Sequence, residues 1–155
     1  MKFGVDTNRA NVLRFVKTDK DAIEPTKGSK DAAGYDLYAV CPKGELMIEP
    51  NKTVMVSTGI AMEIPSGYFG GVFARSGIAT KKGLRPANCV GVIDADYRGS
   101  IIVALHNDSD QPQIINTGER IAQLVIIPCF DAKLHEVGTL EKTDRGDGGF
   151  GSTGE

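Results

Sequence analysis

Apolar residues occur along this chain in short runs that alternate with polar positions or with turn sequences. The runs are rich in Val and Ile, and they predict strands at 12–17, 35–40, 45–48, 53–64, 68–74, 89–93, 100–106, 113–116, 120–130 and 134–137. Turn-forming residues separate the runs at 49–52, 65–67, 107–110 and 116–118. No helical period is sustained, and only a short helical turn near 78–82 is predicted.

Several of the predicted strands are apolar on both faces. In the run "SIIVAL", Ile101, Val103 and Leu105 lie on one face, while Ile102 and Ala104 lie on the other. Strands of this kind suit a closed barrel, a sandwich or a subunit interface. The pattern therefore predicts an all-β sandwich or jelly-roll-like barrel as a single domain over 1–155, with a core at 12–142 and a glycine-rich C-terminal arm at 143–155.

Composition narrows the class of protein. The chain has 155 residues, of which 41% are hydrophobic and 25% charged, as in an ordinary soluble domain. A net charge of −2 argues against broad binding of a nucleic acid polymer, although a small anionic ligand needs only a few local cations. No signal peptide is recognised, and the apolar runs are too short to span a membrane, so no membrane partner is expected.

The cysteines and histidines do not form a recognisable site. Cys41, Cys89 and Cys129 are odd in number and widely spaced, without a CxxC pair. We interpret them as free, mostly buried thiols in a cytoplasmic or other reducing compartment. His106 and His135 are not at metal-ligand spacing, and both are predicted to be strand or loop residues.

Two stretches in the first half of the chain carry more polar chemistry than strands require. In "AAGYDLYA", Asp36 interrupts an apolar strand, which fits either a functional carboxylate or a sheet-edge aspartate. In "FARSGIA", Arg75, Ser76 and Gly77 follow a strand directly. A guanidinium, a hydroxyl and exposed backbone N–H groups are the donors that a phosphate needs, although an ordinary hairpin turn has the same composition.

Two further stretches lie in the second half. In "NCVGVIDADYRG", Gly91 permits close backbone approach, and an apolar run places Asp94 at a strand end with Tyr97 shortly after it. Asp94 is a candidate general base, and an Asp-rich turn is the alternative. In "TGERIAQLVI", Gln123 interrupts an apolar strand as either a ligand group or a satisfied core amide.

The C-terminal stretch "DRGDGGFGSTGE" resembles a phosphate-binding loop without its lysine and without a following helix. Arg145 supplies a cation, Phe150 an aromatic ring, and Ser152 and Thr153 supply hydroxyls. A passive linker needs none of these groups. Together with the four other stretches, they form an inventory that fits a nucleoside polyphosphate.

In order, "AAGYDLYA", "ARSG", "GVIDADYRG", "GERIAQL" and "RGDGGFGSTG" resemble the five motifs of the trimeric deoxyuridine triphosphatases (dUTPases). The match extends from Ala32 to Gly154. One departure is Ala74, at a position where the family often has proline, and this affects turn rigidity more than chemistry.

The resemblance implies a distorted jelly-roll β-barrel that forms a homotrimer, with three active sites each built from three subunits. It implies Mg²⁺-assisted cleavage of dUTP to dUMP and pyrophosphate, which limits uracil incorporation into DNA and supplies dUMP for thymidylate synthesis. In the family, Mg²⁺ is held by substrate phosphates and waters, so Asp36 is expected to be at most an outer-shell ligand.

The resemblance also implies residue roles. Asp94 would activate the water that attacks the α-phosphorus, Tyr97 would lie against the deoxyribose, and the flexible arm would close over the substrate, with Phe150 on the uracil. The substrate-binding residues would be Arg75, Ser76, Gly77, Asn88, Val90, Gly91, Tyr97, Gln123, Arg145, Phe150, Gly151, Ser152 and Thr153.

Two alternatives are distinguishable by assay. A dCTP deaminase of the same fold would need a catalytic glutamate on the strand after the third motif, and "GSIIVALHN" has none. A non-catalytic nucleotide sensor would bind a protein partner without turnover. Release of ammonia from dCTP or of pyrophosphate from dUTP separates these hypotheses.

Overall fold

The computed structural model describes residues 12–149, which form eleven strands, one α-helix and one 3-10 turn at Pro42–Gly44. The helix is α1 (Ser76–Lys82). The strands are β1 (Arg14–Lys17), β2 (Tyr35–Tyr38), β3 (Glu45–Ile48), β4 (Thr53–Ser57), β5 (Ile60–Glu63), β6 (Tyr68–Phe73), β7 (Leu84–Pro86), β8 (Val90–Ile93), β9 (Ile102–Asn107), β10 (Gln113–Asn116) and β11 (Arg120–Pro128).

The strands pair antiparallel in four small sheets. The largest has the order β2-β11-β6-β8, the second has the order β4-β9-β7, and β1 pairs with β5 and β3 with β10. The all-β prediction is confirmed, and the strands form distorted sheets rather than one closed barrel. Within the described part of the chain, no helix has the length and hydropathy needed to cross a membrane.

The core collects one face of each sheet. Leu37, Leu84, Ile101, Ile115 and Leu124 come from different strands or their flanks and are fully buried. In this chain β9 is buried on one face only, because Val103 and Leu105 are buried whereas Ile102 is 48% exposed, and of the three alternatives a subunit interface remains a prediction for the exposed face. The prediction of two-sided burial holds at the start of β11, where the consecutive residues Ile121 and Ala122 are both buried.

Some predicted boundaries differ from those observed. The run 53–64 is two strands, because Gly59 adopts φ 63°, a left-handed conformation that ends a strand. The three-residue strand β7 was missed, and α1 begins at Ser76, two residues before the predicted turn. The predicted strand at 134–137 is wrong: this segment pairs with no strand among residues 12–149, and Leu134 is fully exposed.

The prediction for the cysteines is partly wrong. All three are free thiols, but only Cys41 is buried, and its Sγ donates to the carbonyl of Ile115 at 3.5 Å. Cys89 and Cys129 are exposed, because one lies in the connection between β7 and β8 and the other follows the end of β11. The small, hydrophobic side chain of cysteine therefore does not by itself determine whether the residue is buried.

Candidate active site

The largest sheet aligns, in one transverse row, one residue from each of the first four polar stretches singled out in the sequence. Asp36 on β2 lies opposite Gln123 on β11, Gln123 lies opposite Phe73 on β6, and Phe73 lies opposite Val90 on β8. Neighbouring strands are about 4.8 Å apart, so the row is compact although its members are far apart in sequence. The register therefore assembles these residues without requiring any long loop.

Asp36 is the electrostatic centre of the row. Its side chain is only 11% exposed, and it accepts a hydrogen bond from Arg75 Nε at 2.6 Å and another from Arg120 Nη1 at 3.2 Å. A buried carboxylate without such partners would be strongly unfavourable. The bond from Arg75 uses Nε, which leaves the two terminal amino groups of its guanidinium for an anion.

A β-bulge explains how Arg120 reaches Asp36. Gln123 pairs with Asp36, so simple alternation along β11 would place Arg120 on the opposite face of the sheet. The register shifts between Arg120 and Ala122, and the extra residue pairs Arg120 with Tyr38, two positions from Asp36 on the same face. Sequence reasoning missed Arg120, although its charge within the motif "GERIAQL" was an available signal.

Gln123 is a half-buried amide with a defined partner. Its Nε2 donates to the carbonyl oxygen of Ala74 at 2.9 Å, so the cost of burying the amide is offset. Ala74 immediately precedes Arg75, and the contact therefore holds the backbone from which Arg75 and Ser76 project. One amide hydrogen of Gln123 is left for a ligand oxygen.

Ion pairs connect both ends of helix α1 to residues at the beginning of β11. At its first end, Arg75 is held through Asp36 to Arg120. At its other end, Lys82 Nζ donates to Glu119 Oε1 and, at 2.8 Å, to the carbonyl of Ile114. Glu119 and Arg120 are adjacent, so three ion pairs fix one short helix against one turn. Sequence reasoning also missed Lys82 and Glu119.

Ser76 and Gly77 occupy the exposed first turn of α1. A Cβ placed on Gly77 would meet no atom within 4 Å in this chain. Packing inside the chain therefore does not require glycine here, and the space beside the first turn is open to a ligand.

The connection between β7 and β8 presents backbone to solvent. Asn88 and Cys89 are exposed, and Cys89 adopts φ 62°, which is uncommon for a non-glycine residue. A Cβ on Gly91 would lie 3.2 Å from Val72 Cβ, so the absence of a side chain at Gly91 allows β6 and β8 to pack closely. This packing is a structural reason for Gly91 in addition to the predicted contact with a ligand.

Asp94 and Tyr97 lie in the turn that follows β8. Asp94 is exposed, and its carbonyl accepts the Tyr97 N–H at 3.2 Å. Within residues 12–149, no hydrogen bond to the Asp94 carboxylate is found, so it is free to face a water molecule. The Tyr97 hydroxyl donates to the carbonyl of Ser100 at 3.2 Å, and its ring lies over Gly99, where an added Cβ would collide with it.

Asp94 is at the far end of β8 from the row. Ile93 pairs with Gly70 at one end of the β6–β8 ladder, whereas Val90 pairs with Phe73 at the other. A strand rises about 3.3 Å per residue, so Asp94 lies about 13 Å along the strand from Val90. In a single chain, the candidate base is therefore separated from the row by the length of β8.

The C-terminal motif is only partly within the described residues. Arg145 is exposed, and its Nε donates to the carbonyl of Gly148 at 2.8 Å in a local turn. The predictions for Phe150, Gly151, Ser152 and Thr153 concern positions outside the described residues. Between 12 and 149, no cluster of three His, Cys, Asp or Glu side chains suited to a metal ion is present.

Comparison with known proteins gives consistent results. The family model for dUTPase matches residues 20–154. The chain is 47% identical over 143 residues to the deoxyuridine 5'-triphosphate nucleotidohydrolase of Desulfitobacterium hafniense, covering 92% of this chain and 94% of that protein. It is 48% identical over 142 residues to the protein of the same name from Syntrophotalea carbinolica, covering 92% and 96%.

Solved structures resemble this one closely. The dUTPase of Staphylococcus bacteriophage 80alpha, as a G164S mutant with dUpNHpp, has a TM-score of 0.84 and 31% identity, with 94% of this chain and 99% of that chain covered. This similarity confirms the predicted all-β, jelly-roll-like fold.

Proposed function

The chain belongs to the dUTPase family and hydrolyses dUTP to dUMP and pyrophosphate, and we propose that the row Asp36–Gln123–Phe73–Val90 organises the binding of this substrate. The observation that carries the proposal is the register that aligns residues of the first four polar stretches on one sheet. The five-motif resemblance supports the same assignment from the sequence.

The phosphates bind to Arg75, Ser76, Gly77 and Gln123. Arg75 is oriented by Asp36 and offers two terminal amino groups, which suit phosphate oxygens as paired donors. The Ser76 hydroxyl and the Gln123 amide add neutral donors beside it. Because Arg75 is held before the substrate arrives, little of its side-chain freedom is lost on binding.

Asp94 orients the attacking water and takes its proton. The water oxygen forms a bond to the α-phosphorus, the bond to the bridging oxygen breaks, and pyrophosphate leaves. In phosphoryl transfer most of the acceleration comes from positioning and charge stabilisation, so the role of Asp94 is that of an orienting base.

The base and the sugar are recognised around β8. Backbone groups of Asn88, Val90 and Gly91 pair with the uracil edge: Asn88 is exposed in the connection before β8, and β8 is the edge strand of its sheet. Tyr97 lies against the deoxyribose and excludes a 2′-hydroxyl, while Phe150 of the C-terminal arm (143–155) stacks on the uracil. Arg145, Gly151, Ser152 and Thr153 bind the terminal phosphate.

Mg²⁺ fits this arrangement as an ion held by the phosphate oxygens and waters. Both carboxylate oxygens of Asp36 already accept from arginines, so it is unsuited to direct ligation, but its remaining lone pairs can accept from a metal-bound water. When bound, the ion neutralises charge on the phosphates.

The functional unit is a homotrimer with shared sites. The separation of about 13 Å between Asp94 and Val90 along β8 supports sites in which the base of one chain serves a row on another chain. The segment 129–142 also carries large apolar side chains that are exposed in one chain, which suits packing against a second copy. These side chains are Phe130, Leu134, Val137 and Leu140.

The direct test is release of pyrophosphate from dUTP with Mg²⁺ by the Asp94→Asn variant. We expect turnover to fall by roughly 10²–10⁴, because the base is lost while the shape is kept. Asp96→Asn is the matched control, since Asp96 is an exposed carboxylate in the same turn, and it should stay within a few-fold of wild type. Near-normal turnover of Asp94→Asn would reject Asp94 as the base.

Shared sites are tested by mixing chains. Asp94→Asn chains are refolded with chains that end after Thr143, and mixed trimers are verified by mass. Recovered activity that neither parent shows supports sites built from different copies. Verified mixing without recovery contradicts them.

A further inference from the structure

Arg85 on β7 links the residue after β9 to the backbone between β7 and β8. Its Nε and Nη2 donate to Asp108 Oδ2 and Oδ1 at 2.7 and 3.1 Å, a two-point contact with the residue that follows β9. Its Nη1 donates to the carbonyls of Pro86 at 3.2 Å and Ala87 at 3.4 Å. One guanidinium therefore fixes the backbone entering the β7–β8 connection, which comprises residues 87–89.

The β7–β8 connection has a conformation that needs support. Cys89 adopts φ 62°, which a residue with a side chain keeps only when its surroundings determine it. The Ala87 N–H donates to the Ala104 carbonyl at 2.7 Å, and the Cys89 N–H donates to the Pro86 carbonyl at 3.1 Å. Pro86 thus accepts from both Arg85 and Cys89, so displacement of Arg85 disturbs the same carbonyl that holds Cys89.

An ordinary surface ion pair would not matter here. The Arg85 and Asp108 side chains are 39% and 47% exposed, and most pairs with such exposure contribute little. Arg85 differs because its guanidinium is planar and rigid. When Nε and Nη2 are bound to Asp108, Nη1 is directed toward the backbone. Asp108 also lies 3.4 Å from His106 Nε2, which adds a second neighbour on β9.

We propose that Arg85, held by Asp108, is a positioning residue that sets the backbone of the β7–β8 connection and thereby the discrimination between uracil and 5-methyluracil nucleotides. This inference rests on the proposed function, in which backbone groups from Asn88 to Gly91 meet the base. Backbone recognition depends on the exact placement of amides and carbonyls, and a relaxed connection leaves room for a methyl group.

The test compares Arg85→Met with Arg14→Met. Arg14 is the control because it is also an ion-paired arginine: it contacts Glu63 at 2.7 Å, and it lies on the β1–β5 sheet and not on the sheet that contains β7. For Arg85→Met we expect a three- to tenfold rise in KM for dUTP and in Kd for dUMP, with kcat within twofold. The ratio of kcat/KM for dUTP over dTTP should fall at least threefold, and Arg14→Met should match wild type.

Two further variants keep the inference testable if Arg85→Met does not fold. Arg85→Lys keeps the charge without the fork, and Asp108→Asn removes the anchor of Arg85; both should shift the dUTP/dTTP ratio in the same direction by a smaller factor. A dUTP/dTTP ratio within twofold of wild type in the folded variants would overturn the inference, as would an equal loss of kcat on both substrates. If the wild type itself did not favour dUTP over dTTP, or if Asp94→Asn kept its turnover, the proposed function would fail instead.

Discussion

Asp36→Asn is expected to destabilise the free protein as well as to weaken phosphate binding. The substitution keeps the shape of the side chain but removes the negative charge that accepts from Arg75 and Arg120. Asp36 is 8% exposed, so water does not readily replace the lost contacts. Arg75 would then be left without the charge that orients its guanidinium.

The magnitude follows from the burial of each partner. A hydrogen bond to a charged group contributes about 1.5–3 kcal/mol, and this applies to Arg75, whose side chain is 25% exposed. The Arg120 side chain is 50% exposed, so its contact is discounted to about 0.5–1 kcal/mol. The asparagine oxygen retains one neutral bond of about 1 kcal/mol, which leaves a net loss of about 1–3 kcal/mol. For a chain of this size, such a loss lowers Tm by roughly 3–10 °C.

Thermal unfolding without Mg²⁺ and without nucleotide is the decisive assay. Asp31→Asn is the control, because Asp31 is exposed in the turn before β2. If Asp36 acted only as an outer-shell ligand of Mg²⁺, the metal-free Tm would be unchanged and a defect would appear only with metal and substrate. An equal Tm for Asp36→Asn and wild type in metal-free buffer would therefore refute the anchoring role.

Three further outcomes are expected. Gly99→Ala should push the Tyr97 ring from its place and raise the kcat/KM of UTP relative to dUTP; an unchanged ratio would argue against sugar selection by the ring. Ending the chain after Thr143 should leave Tm within about 2 °C of wild type, because the hydrogen bonds found for 144–149 are all formed within 143–149. The same truncation should lower turnover more than tenfold, because base stacking of about 1–3 kcal/mol and the phosphate contacts are lost. Retained turnover would contradict the role of the arm. Burial raises the pKa of the Cys41 thiol, so at pH 8 it should react with a thiol reagent far more slowly than exposed Cys89 until the protein unfolds, whereas equal rates would contradict its burial.

Much of the secondary structure was predictable from the sequence, as were several of the polar groups that the structure brings together. Strand β11 was expected at 120–130 and is found at Arg120–Pro128, because a run rich in Val, Ile and Leu favours a strand through interactions over a few residues. The motifs also identified Asp36, Arg75 and Gln123, since charged or amide groups within apolar runs need a reason to be there. Local pattern failed at 134–137, where apolar residues have no partner strand within the described chain.

Only the tertiary structure decided which of these groups meet. Asp36 and Arg120 are 84 positions apart, and their contact depends on the pairing of β2 with β11 and on a bulge that turns Arg120 to the face of Asp36. Arg85 and Asp108 meet because β7 pairs with β9. Strand propensity is a property of neighbouring residues, whereas pairing and register are set by the burial of whole sheet faces, to which residues from all parts of the chain contribute at once.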